Sequence, residues 1–399
     1  MAGIGPRARP RQNARAHPPA SSMNRILILY GFEHSGHHAA ARALREAFLE
    51  SDPGLSVDLL NLFVYSSRLL ERVATGIFYR VVKKTPAVWD GIYRNPRSEP
   101  RFDRFRRVVR ALALRGAADA LREFRPDAVV CTQSFPCGMM HDHKERRGSG
   151  IPLYGVLTDF SVPPYWVYPS VNRYFVACGA ARGELIRRGI EPGAVTVSGI
   201  PIRPGFAPAA PRRRAREAFG LDPAPPLILV TGGWSGWGDL ERLASEIARL
   251  GAGCAVAVVT GRNRRLHEAL RGSPEIARRG VAVLPAVERM DLLMAAADLI
   301  VGKAGGMTAS EALAAGVPMV LVDSLPGQER ANAEHLCRHG AAVLARGAGD
   351  AARTAVGLAL DDGRRRRMAE RARALAAPGA AAEIARGVLD EALASADRL

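Results

Sequence analysis

The stretch from Gly302 to Met319, Gly-Lys-Ala-Gly-Gly-Met-Thr-Ala-Ser-Glu-Ala-Leu-Ala-Ala-Gly-Val-Pro-Met, constrains the fold more than any other part of this chain. The apolar run at 297–301 has the length of a buried strand and two glycines follow it. From Thr308 onward, Leu313 and the alanines recur at helical spacing until Gly316 and Pro318 end the pattern. A strand, a glycine turn and a helix start in that order make an anion site. Gly305 and Gly306 let backbone N–H groups approach a phosphate, and the positive end of the helix dipole favours its charge. Glu311 falls one turn into the helix, where a carboxylate repels phosphate unless it faces another part of the ligand. A ribose diol is the usual hydroxylated neighbour of a diphosphate, so the motif points to a nucleotide-sugar site. The same residues also suit a plain tight turn with a solvated first-turn carboxylate.

At 399 residues the chain exceeds a typical single core, and two domains are expected. Its 48% hydrophobic content excludes general disorder. Five scattered cysteines fit a reducing compartment and offer no metal-ligand spacing, so no zinc or iron–sulfur site is expected. The net charge of +17 is uneven: residues 1–22 carry +4, 23–205 carry +9 and 206–399 carry +4. Within the middle part, residues 68–115 hold thirteen Lys/Arg against four Asp/Glu and so supply its whole excess. Residues 1–22 are rich in Arg, Pro and Ala, lack the apolar run of a secretory signal and read as a disordered basic tail, with Met23 a possible start. No run of about 18 uncharged apolar residues argues for a spanning helix.

Strand-like and helix-like segments alternate through both halves. The first half reads as strands at 26–30, 55–60, 128–132, 153–157 and 174–177, with a helix at 36–50. The second restarts at 227–231 and continues at 255–260, 281–284, 299–301 and 319–322. Such alternation predicts parallel sheets with helices on both faces, joined by a Pro- and Arg-rich linker at 203–226. Two doubly wound domains leave a cleft between their strand carboxyl ends, where ligands bind.

Further chemistry falls at those ends. The run Thr231-Gly232-Gly233-Trp234-Ser235-Gly236-Trp237-Gly238 is a second candidate phosphate loop, in which Gly233 and the Ser235 hydroxyl face a diphosphate or the glycines only turn the chain. Arg262, after the next strand, is placed to pair with phosphate or stack on a base, or is simply solvated. Gln328 and Glu329 put an amide beside a carboxylate, a pair suited to vicinal sugar hydroxyls and equally to an ordinary polar loop. His37 opens the first long helix, where a neutral imidazole could take a proton from an acceptor hydroxyl; His34 and His38 flank it and leave the choice open. Asp159 reaches the same edge, to orient a catalytic group or cap a turn. No Asp-x-Asp motif is present to hold a metal on a diphosphate, so backbone amides, helix dipoles and cationic side chains are expected to meet the leaving-group charge.

Taken together, these motifs resemble the glycosyltransferase family of the monogalactosyldiacylglycerol synthases and processive diacylglycerol glucosyltransferases, glycosyltransferase family 28. The resemblance runs from Ile26 to Ala342. It rests on Gly36-His37-x-x-Ala40-Ala41-x-Ala43-Leu44, Arg125-Pro126-Asp127, Thr158-Asp159-Phe160 with Trp166, and Ser198-Gly199-Ile200-Pro201-Ile202. The second half adds Gly261-Arg262-Asn263, Lys303-x-Gly305-Gly306-x-Thr308-x-Ser310-Glu311, and Pro326-Gly327-Gln328-Glu329 with Asn332.

The resemblance implies an α/β chain of GT-B fold, with two Rossmann-like doubly wound domains facing a central cleft. Residues 23–205 would receive the acceptor and contact the membrane, 206–375 would hold a UDP-sugar, and 376–399 would form a helix that packs back on the first domain. It further implies Glu311 as ribose ligand, Gly305, Gly306, Thr308 and Ser235 as diphosphate contacts, Gln328 and Glu329 as sugar contacts and His37 as the group that activates the acceptor. The implied reaction is a metal-independent, inverting transfer of a hexose, glucose or galactose, from a UDP-sugar to the hydroxyl of diacylglycerol, without a cofactor. The chain departs from the family pattern where His34 replaces the first glycine of Gly-x-Gly-His, near Pro163, and at Asn172, all on the acceptor side.

The basic segment interleaves its charge with Phe78, Tyr79, Trp89 and Tyr93. Such a mixture suits an anionic lipid surface on the cytoplasmic face, where a peripheral enzyme would dock, and it also reads as a solvated helical face with core aromatics. The family's membrane-contacting region implies Lys83, Lys84, Trp89, Tyr93 and Trp166 as acceptor or membrane contacts. No nucleic-acid module accompanies the charge, and no nucleic-acid partner is expected. Two alternatives stand beside the diacylglycerol reading: a transferase acting on a polyprenyl-linked or glycosylated lipid, and an inactive UDP-sugar or lipid-binding protein.

Overall fold

The structure, a computed structural model, describes residues 24–62, 110, 114, 118–207, 210–234, 236, 239–251, 253–322 and 327–396. Two six-stranded sheets, parallel throughout, organise them. In the first, β1 (Arg25–Tyr30), β2 (Ser56–Asn61), β3 (Ala128–Cys131), β4 (Leu153–Val156), β5 (Arg173–Val176) and β6 (Val195–Val197) lie in the order β2-β1-β3-β4-β5-β6. In the second, β7 (Leu227–Thr231), β8 (Ala255–Val259), β9 (Ala282–Leu284), β10 (Leu299–Gly302), β11 (Met319–Val322) and β12 (Ala342–Ala345) lie in the order β12-β11-β10-β7-β8-β9.

The central strands are buried on both faces, which is why Ile26 to Leu29 and Leu227 to Val230 are continuous apolar runs rather than alternating ones. Helix α1 (Gly36–Ser51) and the carboxyl-terminal helix at Ala380–Ala396 cover one face of the first sheet. There Ile384, Ala385 and Val388 share a core with Ile26, Leu44 and Phe48. Arg173 Nε donates to Glu391 Oε2 at 2.6 Å across the same contact. The chain therefore crosses twice between sheets, and the two crossings touch. At Gly199, with φ +87°, a Cβ would lie 2.2 Å from the Cβ of Ala377.

Strand order reverses between β1 and β3 and again between β7 and β10. Loops after adjacent strands diverge at such points and open a crevice at the carboxyl ends. Both crevices face the junction of the two units, where Ala40 and Phe160 share a core with Met307, Ala309 and Leu336.

Two edge strands, β6 and β12, escape the sequence pattern. The first is three residues long, and the second is framed by alanines, which have little β preference. The expected linker at 203–226 is anchored within its described part. Arg216 is buried and donates to Ala296 O, to the carbonyls of Asp222, Pro223 and Pro225, and to Asp298, whose carboxylate also accepts from the Leu227 amide. A guanidinium with five donors can satisfy that many carbonyls, which a count of Pro and Arg does not reveal.

Candidate functional site

Ser35 starts α1: its hydroxyl accepts from His38 N at 3.2 Å and donates to Phe32 O at 2.6 Å. That cap sets His37 at the second helical position, with its Nδ1 2.9 Å from Thr132 O and 2.9 Å from Thr158 Oγ1. A carbonyl only accepts, so Nδ1 carries the proton and Nε2 keeps its lone pair. Burial pushes the His37 pKa down to about 4, against the opposing pull of the Thr132 carbonyl. The ring is neutral at physiological pH, which is the form a general base needs.

Thr158, Asp159 and Phe160 make the turn at the centre of the site. The Thr158 side chain meets His37, while its carbonyl approaches Gly306 so closely that a Cβ there would lie 1.9 Å away. Asn332, fully buried in the second unit, holds the other two residues. Its Nδ2 donates to Asp159 Oδ1 at 2.9 Å and to Ala304 O at 3.0 Å, and its Oδ1 accepts from Phe160 N at 2.8 Å. Burial raises the Asp159 pKa to about 6, opposed by the Asn332 bond; the charge of Glu329 adds to the rise and that of Lys303 works against it.

Across the cleft, α2 (Gly306–Ala315) begins with no side chain capping it. Its first-turn amides are left to a ligand, and Thr308 adds a hydroxyl in that turn. The two glycines divide the work. Gly306 lets Thr158 O approach, whereas a Cβ on Gly305 would meet nothing within 4 Å. Beside this junction, Gly233 turns the chain after β7 with φ +71°, and its Cβ position lies 3.6 Å from the Lys303 stem. The two loops flank the β7/β10 crevice, the place where such a sheet binds ligand.

Lys303 Nζ donates to Glu329 Oε1 at 2.6 Å. The second oxygen of Glu329 and Oε1 of Gln328 are buried with no partner among the described residues, an arrangement that sugar hydroxyls would complete. Burial lifts the Glu311 pKa to about 8, with Arg203 opposing and Asp291 reinforcing the rise. Arg262 places its guanidinium 5.0 Å over the Trp234 ring, whose other neighbour is His34 of the first unit, stacked at 4.8 Å.

His37, Asp159, Gly305, Gly306, Gln328 and Glu329 thus converge on one cleft, with Gly233, Arg262, Thr308 and Glu311 on the elements around it. Asp159 bonds Asn332, and the group that orients His37 is the Thr132 carbonyl, whose role no side-chain motif announces. Trp166 needs correcting as a surface contact: it is 4% exposed and packs in the first core beside Gly155, because the short helical turn Pro164–Trp166 points it inward. Ser235, Lys83, Lys84, Trp89 and Tyr93, with nearly all of the basic segment, lie outside the described residues. Arg110 of that segment is described, and it faces inward, its Nε donating to Asp142 Oδ2 at 2.8 Å.

Comparison with known proteins matches each half of the chain to a family model. A monogalactosyldiacylglycerol (MGDG) synthase family model matches residues 37–202, and the glycosyltransferase family 28 C-terminal domain matches 227–381. Processive diacylglycerol beta-glucosyltransferase of Bacillus pumilus is 32% identical over 219 residues, 55% of this chain and 57% of that protein. The Bacillus subtilis protein of the same name is 28% identical over 81% of this chain and 84% of its own length. Among solved structures, MurG of Acinetobacter baumannii superposes with a TM-score of 0.61 at 18% identity, covering 92% of this chain and 99% of that one. With this GT-B architecture, and with both of its halves matched in order by the two family models, the chain belongs to the monogalactosyldiacylglycerol synthase group of glycosyltransferase family 28.

Proposed function

We propose that this protein transfers a hexose from a UDP-sugar to the hydroxyl of diacylglycerol, with inversion at the anomeric carbon. The observation that carries the reading is the free Nε2 of a neutral His37 facing, across one cleft, an uncapped helix start and two unpartnered sugar-directed oxygens. In the proposed step, His37 Nε2 takes the acceptor proton as the hydroxyl oxygen bonds to the anomeric carbon. The bond from that carbon to the diphosphate breaks on the opposite face, and UDP leaves with the electron pair. The amides at Gly305 to Thr308, the α2 dipole and Lys303 would meet its charge, and Glu311 would hold the ribose diol. Asp159 stands beside the sugar contacts. No cofactor or metal is assigned a part in this step.

The names of the curated relatives favour glucose over galactose as the hexose and diacylglycerol as the acceptor. Among the described residues no helix is long and apolar enough to cross a membrane, and the basic, aromatic segment 68–115 would hold the enzyme peripherally on an anionic cytoplasmic surface. The test is direct: purified protein is incubated with diacylglycerol-containing anionic liposomes and a panel of radiolabelled UDP-hexoses. Label in a β-linked glycosyldiacylglycerol supports the reading, and label in no lipid overturns it.

A further inference from the structure

The proposed transfer step does not use the other titratable residues around His37. Glu33, His34 and His38 bring one ligand atom each to within 4.8 Å of one another at the cleft lip. Their placement is built rather than accidental to a loose loop. Tyr30 OH donates to Glu33 Oε1 at 2.6 Å, and Asn61 Nδ2 reaches the same oxygen at 3.3 Å, which fixes the carboxylate and leaves Oε2 turned toward His38 Nδ1 at 3.4 Å. The His38 ring is held by stacking on Tyr30 at 4.6 Å, and the His34 ring by stacking on Trp234. His34 also sits at φ +58°, a backbone conformation that suits glycine, yet the chain places an imidazole there.

We infer that Glu33, His34 and His38 form a site for a divalent transition-metal ion of zinc type. Two imidazoles and one carboxylate are the donor set such ions prefer, and three protein ligands leave a position open to water. A ligating carboxylate steadied by hydrogen bonds is the outer support that metal sites carry. The positive end of α1 and Arg42, which faces His38, oppose a cation, and the Glu33 charge offsets them. The scattered cysteines gave no hint of this site because it uses none of them. Binding stands apart from the transferase reading and is measured without turnover.

The test uses the full chain without a histidine tag, stripped with chelator and titrated with Co2+ while visible d–d absorption is followed. One equivalent bound per chain, displaced by Zn2+ and weakened about tenfold or more in both His34→Gly and His38→Asn, is the expected result. Glycine accepts the left-handed backbone at position 34, so that variant keeps the loop. Failure of the parent to bind Co2+ stoichiometrically, or binding by both variants as tight as the parent's, overturns the inference.

Discussion

Asn332 Nδ2 donates to Asp159 Oδ1 at 2.9 Å, joining the second unit to the turn that supports His37. Because Asn332 also satisfies Phe160 N and Ala304 O, one buried amide fixes three backbone or side-chain groups from both units. The active geometry therefore depends on how the units meet as much as on either alone.

Replacing Asn332 with Ala leaves those buried groups unpaired, at about 1–3 kcal/mol for each orphaned group. Asn332→Ala should lower thermal stability and reduce kcat more than it raises the donor KM. Asn332→Asp is more telling: a second carboxylate beside Asp159 raises the Asp159 pKa further, so any limb of the pH–rate profile that Asp159 sets moves upward from about 6. A limb at the same pH in parent and variant would rule out Asp159 as its source.

His37→Gln should lose about two to four orders of magnitude in turnover while UDP affinity stays within a few-fold, as expected of a base that does not touch the donor. A stability signature accompanies it. The folded pKa, about 4, lies below the ordinary value of 6.5, so the unfolded chain binds more protons between them. The stability present above pH 6.5 is lost as pH falls toward 4. Chemical denaturation of parent and variant across that window should show the parent losing more.

Glu311 has the opposite sign. Its folded pKa, about 8, exceeds the ordinary 4.5, so its contribution is complete below pH 4.5 and is lost as pH rises through 8. Glu311→Gln removes a charge that burial disfavours. The melting temperature of the variant relative to the parent should therefore climb between pH 5 and 9. The same change should weaken UDP binding about tenfold if the carboxylate takes the ribose diol, measured by calorimetry at pH 9 where the parent is ionised. Unchanged UDP affinity would remove Glu311 from the donor site.

Much of the fold is legible in the sequence. Ten of the twelve described strands announce themselves because a doubly covered parallel sheet demands short apolar runs, and the glycine junctions mark the strand ends where such sheets bind ligands. What escaped were contacts made by backbone or across the cleft. The Thr132 carbonyl that orients His37 belongs to a residue 95 positions away, and a carbonyl has no sequence signature. Asn332 was visible as a motif residue, but its clamp on Asp159 spans 173 positions and exists only when the units meet. Trp166 misled for a related reason: an aromatic near a suspected lipid site is equally a core residue, and the fold decides.

The structure gives Gly305 and Gly306 separate duties. A methyl at Gly306 would meet Thr158 O at 1.9 Å and its carbon at 3.0 Å, so Gly306→Ala must part the two units or shift the 158–160 turn. A methyl at Gly305 meets no protein atom within 4 Å and so leaves the junction intact. Gly306→Ala should therefore lose turnover at least about a hundredfold through displacement of the base, while UDP still binds. Gly305→Ala should preserve the packing, seen as an unchanged melting temperature without ligand, and weaken UDP binding where the diphosphate would rest. Calorimetry with UDP beside turnover on liposomes separates the two, and equal losses of UDP affinity in both variants would show that Gly306 also faces the donor.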